Sequence, residues 1–105
     1  MTEAEFTDAL TARFAELTDG ASISGIMVDT FDQGRDFGVM AYFDDVGLTR
    51  AFRWPVVEPG EAAVTDDVEP HLTEEHARLA AFLFADWLKA WRKRQAAERD
   101  QRKSA

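Results

Sequence analysis

His71 and His76 are the histidines of this chain, and they stand five residues apart around Leu-Thr-Glu-Glu. A helical zinc site presents its ligands at i and i+4 on one face. A spacing of five across an expected helix cap does not meet that geometry. Both are therefore read as a solvated helix start, and no metal or cofactor is expected. Asp44-Asp45 and Asp66-Asp67 are carboxylate pairs of the kind used for acid and base chemistry. Neighbouring residues of a strand point to opposite faces, however, and turns favour Asp for backbone reasons. No His, Cys or Ser stands beside them in nucleophile context, and no Gly-rich phosphate loop follows a strand. The chain is expected to be no enzyme; a small carboxylate-dependent enzyme is the weakest of three readings.

Arg92, Lys93, Arg94, Arg99, Arg102 and Lys103 form a basic C-terminal stretch. Stacking aromatic residues are absent from it, and the acidic remainder opposes phosphate, so direct nucleic-acid binding is not expected. The formal charge of −8 divides unevenly, into −12 over residues 1–91 and +4 over residues 92–105. A body this acidic is drawn to basic surfaces, unless its charge serves solubility alone.

The elements that position these residues follow from hydrophobic period. Thr2 and Glu5 make a capping box, with Met1 and Phe6 in the staple positions. Phe6, Leu10, Phe14 and Leu17 recur at helical spacing, and Asp19-Gly20 is a stop signal, so a helix is predicted over 3–18. Between 22 and 54 the pattern is period two, interrupted at Asp32-Gln33-Gly34-Arg35 and at Asp45-Val46-Gly47-Leu48. Three strands in a meander are predicted. A two-residue turn at Gln33-Gly34 would pair Val28 with Val39, Ile26 with Ala41 and Thr30 with Phe37. A turn centred on Val46-Gly47 would pair Ala41 with Phe52, Val39 with Trp54 and Phe43 with Arg50.

That register gathers Ile26, Val28, Phe37, Val39, Ala41, Phe43, Phe52 and Trp54 on one face. Ile23, Met27, Met40, Tyr42, Ala51 and Arg53 fall on the other, beside Asp29, Asp36 and Asp44. The stretch 55–72, with three prolines and many acids, reads as a long loop holding at most a short edge strand over 62–65. Thr73 then caps a helix over 73–91. At 100° per residue, Leu79, Leu83, Trp87, Ala80, Trp91, Phe84 and Leu88 share one half of it, while Arg78, Ala85, Lys89 and Arg92 share the other. Phe82 lies on the Arg78/Lys89 side, where it would be exposed or part of a dimer contact.

A chain of 105 residues allows one core, burying roughly 65% of the unfolded surface. The fold expected is α+β in the order α-β-β-β-α, a three-stranded antiparallel meander with both helices on one face. One domain over 1–91 would carry a basic, solvent-exposed helical extension or tail over 92–105. The absence of cysteine excludes disulfides and thiolate chemistry. No run approaches the ~18 apolar residues of a membrane span, and the start lacks signal-peptide character, so a cytoplasmic protein is expected.

The function expected is a small acidic protein-binding module. In the first reading, Asp29, Asp32, Asp36, Asp44 and Asp45 imitate phosphates and occupy a basic site of a nuclease or other nucleic-acid-binding protein, inhibiting it. In the second, Met27, Met40 and Tyr42 hold an apolar segment of a partner, as in a chaperone or adaptor. The partner is expected to be another protein, with a homodimer as an alternative.

Overall fold

The computed structural model describes residues 1–32, 35–55 and 72–104. Gln33-Gly34, most of the loop expected over 55–72 with its strand at 62–65, Asp66-Asp67 and His71 lie outside the described residues. The order is α1 (Glu3–Leu17), β1 (Ile23–Phe31), β2 (Asp36–Phe43), β3 (Leu48–Pro55) and α2 (Glu74–Ser104). It is an α+β fold in which an antiparallel sheet, ordered β1-β2-β3, carries the helices on one face.

Local signals set the helix ends. The Thr2 Oγ1 accepts from the Glu5 N–H at 3.1 Å and the Glu5 carboxylate accepts from the Thr2 N–H at 3.0 Å, which closes the capping box. Hydrogen bonding with Thr2, its backbone N–H first and its side chain second, holds the Glu5 carboxyl below its ordinary pKa. At the other end Asp19 takes φ 56° and the Gly20 N–H reaches back to the Ala15 carbonyl at 2.8 Å, a Schellman stop. The Thr73 hydroxyl caps α2 by accepting from the His76 N–H at 3.2 Å.

The sheet departs from the simple register in two places. On β1, Gly25 and Ile26 together oppose Ala41, with Met27 paired to Met40 on one side and Ser24 to Tyr42 on the other. Gly25, at φ 59°, supplies the left-handed residue of this bulge. Ile23 is thereby turned inward opposite Phe43 and buried, not outward as expected. Between β2 and β3, Phe43 pairs with Leu48 across the four-residue loop 44–47, closed by the Gly47 N–H on the Phe43 carbonyl at 2.9 Å. Ala41 therefore meets Arg50, Val39 meets Phe52 and Phe37 meets Trp54. The expected pairing was displaced by two residues, an even number, so every β3 side chain keeps its predicted face.

The core lies between the inner sheet face and the helices. Phe6 packs edge-on against Phe37 and Phe14 against Phe43, with centroids 5.9 and 5.6 Å apart; Phe84 meets Phe43 at 5.5 Å and Phe52 at 5.2 Å. The buried side of α2 is Ala77, Ala80, Ala81, Phe84, Ala85 and Leu88. That side is rotated from the expected one by roughly a fifth of a turn. Leu79 is exposed, Ala85 is buried, and Trp87 and Trp91 are only half-buried. The cause is the partner element: α2 rests on α1 as well as on the sheet, and its small alanines let the two backbones approach. His76 also differs from its expected solvated place. Its ring stacks on Phe37 at 5.0 Å, and its Nδ1 accepts from the Trp54 Nε1–H at 3.3 Å.

Candidate functional site

The outer face of the sheet is built in four cross-strand rows, Ser24-Tyr42-Thr49, Met27-Met40-Ala51, Asp29-Gly38-Arg53 and Phe31-Asp36-Pro55. Alternation puts these side chains opposite the core, and both helices lie on the other side. Met27 is 62% exposed, Tyr42 42% and Phe31 40%. Met40 is half-buried among them. The predicted Met27, Met40 and Tyr42 thus do share one face.

Phe31 and Gly38 join them and were not singled out by the sequence. A Cβ at Gly38 would overlap the Phe31 ring, so the ring lies across the glycine and shields the backbone of the middle strand. The Arg53 guanidinium sits 4.7 Å above the same ring and binds Asp36 at 2.6 Å. Together they bound an open groove of about 350 Å³ running over Met27, Phe31, Gly38, Met40 and Ala51, with Asp29 and Arg53 at its rim. The signal available was parity: Phe31 is an even number of residues from Met27, on the same side of the strand.

The carboxylates are differently disposed. Asp36 is held by Arg53. Asp44 lies just beyond β2 and accepts from the Ser22 and Ser24 hydroxyls, both at 2.7 Å. The Ser24 bond, and after it the Ser22 bond, hold the Asp44 carboxyl below its ordinary pKa. Asp45 accepts from the Ser22 N–H at 3.0 Å, and Asp29 from the Thr30 N–H at 2.8 Å. Asp32 stands at the β1–β2 turn at φ 52°, its carbonyl accepting from the Arg35 N–H at 3.2 Å. Asp44 and Asp45 thus fasten the β2–β3 loop to the chain entering β1. Among the described residues no group of three or more His, Cys, Asp or Glu is arranged to hold a metal, and no helix is long and apolar enough to cross a membrane.

At the opposite edge of the core, Arg50 lies over the Trp87 ring at 4.8 Å and Trp87 stacks on Trp91 at 6.4 Å. These contacts close that end of the core. No protein-family model, curated protein or solved structure matches the chain.

Proposed function

We propose that this chain is a non-enzymatic binding module that receives an apolar segment of a partner protein on the outer face of its sheet. The observation that carries this reading is the groove over Met27, Phe31 and half-buried Met40, with Met27, Phe31 and the neighbouring Tyr42 exposed on the same sheet face. Methionine and aromatic side chains adapt to varied apolar partners, and a contiguous patch of them is costly to leave in water without use. Asp29 at the rim and the net acidity of the body favour a segment flanked by Lys or Arg, drawn in by long-range attraction.

Phosphate imitation by the same face is the less supported alternative. Asp36, Asp44 and Asp45 spend acceptor capacity on Arg53, on two serine hydroxyls and on a backbone N–H. A mimic of nucleic acid would need those oxygens directed outward to a basic cleft.

The test uses an apolar fluorescent dye and a photo-crosslinker. The dye should bind the folded chain, and Met27→Glu should abolish that binding without changing the melting temperature. A crosslinker placed at Tyr42 should capture a partner segment from native extract that one placed at Asp86 does not. Equal dye binding by wild type and Met27→Glu defeats the reading. Capture that vanishes with salt but survives Met27→Glu would favour the acidic alternative.

A further inference from the structure

On the side of α2 turned away from the core, Glu75, Leu79, Phe82, Asp86, Lys89 and Lys93 recur at alternating spacings of four and three. That is the period of a helix pairing seam. All six are exposed, and the apolar members are exposed despite their size, Phe82 by 58% and Leu79 by 38%. Among the described residues the core does not use this stripe: it takes Ala77, Ala80, Ala81, Phe84, Ala85 and Leu88 instead.

We propose that this stripe seats a second copy of the same chain, its α2 running antiparallel to the first. Charge order along the stripe selects both the occupant and its direction. An acid, Glu75, opens the stripe and two bases, Lys89 and Lys93, close it, while Asp86 lies just past its middle and faces Phe82 of the other copy in an antiparallel register. A parallel partner would set Glu75 against Glu75 and Lys93 against Lys93. The antiparallel one sets Glu75 of each copy beside Lys93 of the other, twice, as a two-fold contact requires. In that register the stem of Lys89 covers Leu79, and the two Phe82 residues lie about 6 Å apart along the axis, beside the two-fold. Two apolar side chains per copy make this a concentration-dependent dimer and not an obligate one. Because α2 covers the inner face of the sheet, both outer faces stay open. If the sheet-face reading above holds, the dimer is a bivalent binder, and linked sites gain avidity without new contacts.

Sedimentation velocity of the full chain over a wide concentration range, at low and high salt, tests the contact. The expected result is a dimer that weakens with salt and becomes monomeric in Phe82→Glu at all concentrations, with an unchanged circular dichroism spectrum. Glu75→Lys should weaken the dimer, and adding Lys93→Glu to the same chain should restore it, which general instability would not do. A monomer at every concentration overturns the proposal. So does a dimer indifferent to Phe82→Glu, or one dissociated by Met27→Glu instead, which would place the second copy on the sheet. The first two of these results do not bear on dye binding, so there the dimer and the sheet-face reading fail separately; dissociation by Met27→Glu makes the sheet face the dimer contact and bears on both.

Discussion

Asp44 shows how a residue suited to chemistry is put to structural use. Its carboxylate takes two serine hydroxyls, so its pKa in the folded chain lies below the unfolded value. A carboxyl shifted this way favours the folded chain above about pH 4, and the contribution disappears as the pH falls through the lower folded value. Ser24→Ala, which removes the larger cause, should lower the urea midpoint near neutrality. The gap to wild type should close under acid conditions; a gap independent of pH would mean that Ser24 acts without Asp44. Gly38 makes the complementary point for the groove. In Gly38→Ala the new methyl displaces the Phe31 ring, which is 40% exposed and must shift together with the Arg53 guanidinium above it. Dye binding should change while unfolding stability falls by no more than about 1 kcal/mol, near the centre of point-mutant effects, because the ring and not the backbone gives way. A large loss of stability would show that the ring is held more firmly than its exposure implies.

The elements were legible where period and capping agree, and less so where a neighbouring element decides. Thr2 with Glu5, Asp19-Gly20 and Thr73 marked three helix ends, and alternation over 22–54 marked the meander and the face shared by Met27, Met40 and Tyr42. The bulge was hidden because Gly25 between Ser24 and Ile26 reads as an ordinary break in alternation; only pairing with Ala41 reveals two residues opposite one. The rotation of α2 was hidden for another reason. Hydrophobic bulk points to Leu79 and Trp87, whereas helix-to-helix approach rewards the small side chains at Ala77, Ala81 and Ala85. Substitutions can measure that difference. Phe84→Ala should cost about 3 to 5 kcal/mol, the range for a large buried aromatic, and half-buried Trp87→Ala should cost less. The reverse order would restore the unrotated helix. Ala81→Leu should overpack the α1–α2 contact and cost about 1 to 3 kcal/mol; a neutral result would mean that α1 does not close on that side.

Across the whole molecule, the long α2 sets the shape. The principal extents are 57 × 28 × 18 Å, and a helix of 31 residues accounts for about 46 Å of the longest at ~1.5 Å per residue. Past Leu88 no described residue of α2 is fully buried; Trp91 and Gln95 are half-buried and the charged residues from Arg92 to Arg102 are exposed. A helical segment that buries so little contributes little to the stability of the domain beneath it, since isolated helices of this length are marginal in water. Truncation after Arg94 should therefore leave the melting temperature nearly unchanged while removing about ten residues' worth of helical circular dichroism. The same truncation separates two uses of the basic end. The antiparallel stripe closes at Lys93, so the shortened chain should sediment as the full chain does. A shortened chain that keeps its melting temperature yet becomes monomeric would move the contact onto the basic extension, where Arg99 and Arg102 would then be the groups meeting the acidic body of the other copy.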